Sequence, residues 1–309
     1  MLGPGFLVVR TLPPMYDKTF PSTAVILVPH GTREQAGVNQ SLELCVEVFQ
    51  ELNRNFQRLP PFYVGFLEIA RPSLEEMLES VVRNGNQKVI VVPIMLFDAD
   101  HIKKDIPDLT RRAIESYAEK SVTVYITSAY GMRWRLLGLA MERQKEVLAD
   151  GNLTREQTAY VMVARGTSDE AALRQVETVY ELIGMTGYAH RKLCYFAAAE
   201  PRVEDVLEQV AQLEGIRSVL VQPYLLFEGY LTNHLRDLLE QSRQKWPHLR
   251  WVQTDVLWPS SSLVHILAEK VSDALLGSQR DTLPHDARVL VEGVTKSNSG
   301  SYRIVALPW

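Results

Sequence analysis

Val25-Ile26-Leu27-Val28-Pro29-His30-Gly31-Thr32-Arg33 is the stretch on which the reading of this 309-residue chain turns. Its first four residues are apolar, three of them β-branched, and read as a short buried strand. Pro29 supplies no backbone N–H and halts the strand, and His30-Gly31 follows at once. In an open α/β sheet, ligands bind outside the carboxyl ends of the strands, so this order places His30 in a cleft and not in a core. The arrangement recurs at Val89-Ile90-Val91-Val92-Pro93-Ile94-Met95-Leu96-Phe97, which runs into Asp98-Ala99-Asp100-His101. Two strand ends that each deliver a histidine point to a metal or proton-transfer site.

Outward from these strands, apolar periodicity predicts a helix over 40–56, a strand over 62–69, and a helix opened by Pro72 with Leu74, Met77, Leu78, Val81 and Val82 on its buried face. A helix over 102–117, with Pro107 marking a kink or a late start, a strand over 122–126 and a helix over 134–147 follow. Strand and helix in alternation imply a parallel sheet with right-handed crossovers. Asp150-Gly151-Asn152 reads as a linker.

The pattern then repeats. Residues 159–164 end in Arg165-Gly166-Thr167, 135 positions after His30-Gly31-Thr32. A strand over 195–199 leads into Glu200-Pro201, echoing Arg71-Pro72 at an offset of 129, and the strand ending at Phe227 repeats the one ending at Phe97 at an offset of 130. A strand over 251–256 and a helix over 263–276 complete the second half. Steady offsets joining the same residues in the same order indicate an internal duplication. The expected fold is α/β: two tandem domains, 23–150 and 151–277, each a largely parallel four-stranded sheet flanked by helices in three layers. A leader, 1–22, precedes them. A tail, 278–309, follows, with strand candidates at 287–291 and 303–307 that suit a hairpin on a sheet edge or at a dimer contact.

A net charge of -4 gives no reason to expect nucleic acid or an anionic membrane as partner, and no apolar run reaches membrane-spanning length. The amino end lacks the pattern of a secretory signal, so the expected location is cytoplasmic. Cys45 and Cys194 sit among apolar residues outside any Cys-x-x-Cys pair, which predicts buried free thiols and no iron–sulfur cluster. No Gly-x-Gly-x-x-Gly or Walker-type motif supports a nucleotide.

His30, Glu68 and His101 each end or follow a predicted strand of the first half. Two imidazoles and a carboxylate suit a borderline divalent ion such as Co²⁺, Fe²⁺, Ni²⁺ or Zn²⁺, and also accept protons. Spacings of 38 and 33 residues match no short metal motif, so the set depends on the fold. A lone histidine at a strand end is more often a structural residue than a ligand; the pairing of two in equivalent places is what favours function. In the second half Arg165, Ala197 and Leu231 stand at the three positions, and His234 lies three residues off. Arginine neither binds a metal ion nor accepts a proton at neutral pH, so one active half faces a modified one. Asp98, Asp100 and Asp105 are carboxylates near His101 that either orient its ring or attract the ion, or, for Asp98 and Asp100, serve as solvated loop residues. Arg33, Arg71, Lys103, Lys104 and Arg165 are basic groups for a polyanionic ligand.

Taken together, Val28-Pro29-His30-Gly31-Thr32-Arg33, Phe66-Leu67-Glu68-Ile69-Ala70-Arg71-Pro72-Ser73 and Val92-Pro93-x-x-Leu96-Phe97-x-x-x-His101-x-x-x-Asp105-Ile106-Pro107 resemble the sirohydrochlorin chelatases, class II enzymes that insert cobalt or ferrous iron into a tetrapyrrole. The likeness is to their long, two-domain form and covers roughly residues 24–276. It implies that His30 and His101 are catalytic metal-binding histidines with Glu68 as third ligand, in a cleft between the halves. It implies sirohydrochlorin and a divalent ion (Co²⁺ or Fe²⁺) as substrates, no ATP, and a monomer of two fused domains or a homodimer. The first expectation is cobalt insertion for cobalamin biosynthesis; the alternative is iron insertion for sirohaem, with nickel a third metal. A non-catalytic tetrapyrrole- or metal-binding protein is the competing class. The histidine-rich tract and cysteine motif of some long members are absent from this sequence.

Overall fold

The computed structural model describes residues 20–99, 101–117, 121–184, 187–278, 288–294 and 301–307. Residues 1–19 of the expected leader, and Asp100, lie outside the described residues.

The chain runs β1 (Thr23–Pro29), α1 (Gln35–Asn55), β2 (Phe62–Val64), α2 (Leu74–Arg83), β3 (Lys88–Ile94), a π-helical turn (His101–Asp105), α3 (Ile106–Tyr117), β4 (Val122–Ile126) and α4 (Trp134–Gly151). It continues with β5 (Thr158–Ala164), α5 (Glu170–Gly184), β6 (His190–Tyr195), α6 (Val203–Ala211), β7 (Ser218–Pro223), α7 (Tyr230–Lys245), β8 (Arg250–Gln253), α8 (Ser261–Ser278), β9 (Arg288–Val294) and β10 (Ser301–Ala306). One sheet has the order β2-β1-β3-β4-β10-β9 and the other β6-β5-β7-β8. Every pairing is parallel except β9 with β10. The first sheet therefore carries the four expected strands and two more, because the C-terminal hairpin pairs with β4.

β1 is buried at all seven positions, as a central strand covered on both faces must be. Ala24, Ile26 and Val28 share one core with Leu74, Leu78 and Val81 of α2 and Ile106 and Ile114 of α3. Val25 and Leu27 point to the opposite face and are equally buried. In the second sheet Ala159, Val161 and Val163 of β5 pack with Val206 and Val210 of α6 and Leu235 and Leu239 of α7.

The chain divides into two compact units, one of residues 1–130 with 264–309 and the other of 131–263. These cuts differ from the sequence halves 23–150 and 151–277, because the last helix of each half belongs to the unit of the other half. Buried polar side chains fix both helices. In α4, Gln144 Nε2 donates to Gln222 Oε1 at 2.8 Å, while Gln222 Nε2 donates to Ala140 O at 2.8 Å and Tyr188 OH to Gln144 Oε1 at 3.0 Å. In α8, the buried Lys270 gives its Nζ protons to Ser128 Oγ at 2.8 Å and to Ser128 O at 3.3 Å. A buried polar group without partners is costly, so these contacts fix where each helix packs.

Besides β7, which ends at Pro223 and not at Phe227, and β8, which ends at Gln253 and not at residue 256, two strands differ from what periodicity predicts. β2 ends at Val64 and not at residue 69, and β6 ends at Tyr195, the residue at which the pattern opens a strand. In both places the chain leaves the ladder for a left-handed turn, at Ile69 (φ +65°) and Ala198 (φ +56°).

Among the described residues no helix is long and apolar enough to cross a membrane.

Candidate metal centre

Strand order alone sets the location. In β2-β1-β3 the chain passes from β1 to one neighbour and then returns to the other, so the loops after β1 and β3 diverge and open a crevice at the carboxyl end of the sheet. His30 follows β1 and His101 opens the π-helical turn after β3.

Backbone hydrogen bonds bring in the third residue. Beyond β2 the chain still runs beside β1: Gly65 N–H donates to Leu27 O, Leu67 N–H to Pro29 O, and Glu68 N–H to His30 O at 2.9 Å. Gly31, at φ +96°, admits the Glu68 carbonyl so closely that a Cβ there would lie 2.0 Å from its oxygen. Ile69 then reverses the chain, with Ala70 N–H donating to Glu68 O at 2.6 Å, a γ-type turn. A β-branched residue at positive φ costs roughly 1–3 kcal/mol, which the surrounding bonds must offset. Ser73 caps α2: its Oγ accepts from Glu76 N–H, and the Glu76 carboxylate accepts from Ser73 N–H. That backbone bond, aided by Arg71, lowers the Glu76 pKa.

His101 sits where it does because of Pro107. Without an N–H, Pro107 cannot close an α-helical bond to the carbonyl four residues back, and its ring would clash there. The chain makes a wider π turn before α3 starts at Ile106. Of the kink and the late start that Pro107 allows, the late start is the one observed.

The resulting geometry is compact. His30 Nε2 and His101 Nε2 face each other at 3.4 Å. Glu68 Oε2 is 3.9 Å from His30 Nε2, and Glu68 Oε1 is 3.9 Å from His101 Nδ1. One ligand atom from each of the three residues lies within 4.8 Å of the others, and among the described residues this is the one such cluster. The far nitrogens determine what the near ones can do. His30 Nδ1 lies 3.1 Å from Gly31 O, and His101 Nδ1 lies 2.7 Å from Asp105 Oδ2. Both partners are acceptors, so in the neutral rings the protons sit on Nδ1 and two Nε2 lone pairs confront each other. Only a cation or a proton between them makes that arrangement favourable. A first-row ion about 2.1 Å from each nitrogen would see them at roughly 110°, near the tetrahedral angle.

Asp105 is thus the carboxylate that meets His101. Asp98 is engaged elsewhere: its Oδ1 accepts from Ala129 N–H at 2.7 Å, tying the loop after β3 to the loop after β4. Asp100 lies outside the described residues. Arg71 donates from Nη1 to Glu76 Oε1 at 2.6 Å on the exposed surface. Arg33 and Lys103 are exposed in the first unit, and Arg165 is exposed at the end of β5 in the second.

In the second unit the same backbone lacks the two histidines and the carboxylate. Ala197 N–H donates to Arg165 O at 3.0 Å, the counterpart of Glu68 on His30, and Gly166 admits the Ala197 carbonyl at φ +86°. His234 is engaged with Glu204, 3.4 Å from its Oε1, and stacks on Tyr230. Cys45 and Cys194 are free and buried, and burial pushes both thiols far above their usual range, so neither offers a thiolate at neutral pH.

Two α/β units share one backbone plan, and one of them joins two imidazoles and a carboxylate at its strand switch point, a set able to hold a metal ion. The family model described as CbiX matches residues 24–147 and again 159–274. A sirohydrochlorin ferrochelatase of Priestia megaterium is 31% identical over 84% of this chain and 93% of its own length. A sirohydrochlorin cobaltochelatase of the same organism is 25% identical over 82% of this chain and 80% of its own. The solved structure of SirB from Bacillus subtilis with Fe3+ superposes with a TM-score of 0.66 at 23% identity, covering 83% of this chain and 97% of that one, and supports the fold. The chain belongs to the CbiX family of sirohydrochlorin chelatases, and is a class II chelatase.

Proposed function

We propose that this chain inserts a divalent metal ion into sirohydrochlorin, ferrous iron ahead of cobalt, and that His30, Glu68 and His101 hold the incoming ion. The observation that carries the reading is the pair of Nε2 atoms 3.4 Å apart, each with its opposite ring nitrogen against an acceptor. The order of metals follows similarity: the cobalt expectation gives way because the ferrochelatase relative is 31% identical and the cobaltochelatase 25%. Cobalt is the second reading, favoured by that second relative.

The reaction exchanges one M²⁺ for two pyrrole N–H protons, so the site must hold a partly dehydrated cation and accept protons. The triad holds the ion at one face of the ring, and an imidazole released as the metal transfers takes one of the two protons, the other passing to water. Arg33, Arg71 and Lys103, exposed in the same unit as the triad, are the cations offered to the ring carboxylates. The protein acts in the cytoplasm.

Insertion followed by absorbance under anaerobic conditions, with Fe²⁺ and Co²⁺ supplied separately and no nucleotide, tests the reading. Acceleration over the uncatalysed reaction is expected for both ions, larger for Fe²⁺; no acceleration with either ion refutes it. Asp105 gives a second expectation. Asp105→Ala removes the acceptor that holds the His101 ring, and Co²⁺ binding measured without tetrapyrrole should weaken about 10–100-fold. Asp105→Asn still accepts from Nδ1 and should lose less.

A further inference from the structure

The turn that delivers Glu68 carries a side chain that holding a metal ion does not use. Ile69 sits at φ +65°, where β-branched residues are rare, and its side chain is 59% exposed. Among the described residues, the other large apolar side chains exposed in the first unit, Leu276, Val289 and Leu290, belong to α8 and β9. In the second unit Ala198 takes the same place at φ +56°, next to Ala197 in the position of Glu68. The backbone turn therefore forms without a large side chain. Bulk at its tip and the carboxylate before it occur together, in the unit that has the histidine pair.

We propose that Ile69 is a substrate-positioning contact, an apolar ledge beside the triad on which the flat face of the tetrapyrrole rests. This role presupposes the chelatase activity proposed for the chain. Sirohydrochlorin carries its carboxylates at its periphery, so the basic groups suit its edge while the face of the macrocycle needs an apolar surface. A β-branched side chain is stiff at χ1 and sits here on a turn closed by its own hydrogen bond, so the ledge fixes the height of the ring above the ion. Its loss weakens the ring and leaves the ion's affinity unchanged.

The test compares wild type with Ile69→Ala, Ile69→Asn and Ile69→Val in the full chain. Asn tolerates the left-handed backbone, so that variant stays folded while presenting a polar tip. The KM for sirohydrochlorin is expected to rise roughly tenfold in the Ala and Asn variants, in proportion to the apolar area no longer covered by the ring. Val should stay within about twofold of wild type. The Kd for Co²⁺ alone, by titration without tetrapyrrole, should be the same in all four proteins. A wild type that inserts metal while Ala and Asn keep its KM overturns the role of Ile69 alone. KM and Co²⁺ affinity weakening together also overturns it, since Ile69 would then act through Glu68. A wild type that neither binds nor metallates the ring overturns the chelatase reading, and the ledge with it.

Discussion

Alanine at either His30 or His101 is expected to lower metal insertion by more than about 100-fold, beyond what the loss of a ligand's hydrogen-bonding partner costs. The double variant should be little worse than either single one, because an ion held between two nitrogens is lost when one of them goes. Stability should scarcely change. The two side chains are 25% and 28% exposed and make no part of the apolar cores, so each replacement should stay within about 1 kcal/mol. Insertion rates, Co²⁺ titration and thermal unfolding of the same samples separate these effects. A single alanine variant that keeps a tenth or more of the wild-type rate would remove the histidines from the chemistry. Ring binding that survives in a protein that never metallates the ring, wild type included, would favour a non-catalytic binder.

The parts of the fold legible in the sequence are those fixed by local pattern. β1, β3 and β4 are runs rich in Val and Ile, buried in the middle of a sheet, and their bounds fall within a residue or two of the apolar stretches. The histidines stand out because they follow such runs, and Glu68 because it stands between them. Edge strands are less legible. β6 reads His-Arg-Lys-Leu-Cys-Tyr, and its polar first half is only partly covered, so periodicity places the strand several residues late. The left-handed turn at Ile69 carries no glycine or asparagine to announce it. The exchange of α4 and α8 between the units is hidden because its determinants, Gln144 and Lys270, are polar residues that a pattern reading assigns to the surface. Among the three aspartates the sequence also leaves the choice open. Only the π turn sets Asp105 against the His101 ring, while Asp98 is taken by a backbone N–H.

Gly31→Ala should disable the site as thoroughly as loss of a ligand, through the backbone alone. Its Cβ would stand 2.0 Å from Glu68 O at a φ of +96°, so the Glu68 loop must move away from β1 and the bond from Glu68 N–H to His30 O must break. Gly166→Ala is the matched control. Its Cβ would stand 1.8 Å from Ala197 O at φ +86°, the same clash in a loop where Arg165 and Ala197 stand in the places of His30 and Glu68. Both variants should lose about 2–4 kcal/mol of stability in the unit that holds them, from steric conflict added to an unfavourable backbone. Co²⁺ binding should collapse only in Gly31→Ala, measured well below the unfolding transition of both proteins. The contrast isolates the function of the close approach from its structural cost, since the cost is common to the two halves and the carboxylate is not. Normal Co²⁺ affinity in Gly31→Ala, or an equal loss in Gly166→Ala, would mean that the position of Glu68 against His30 does not govern the metal.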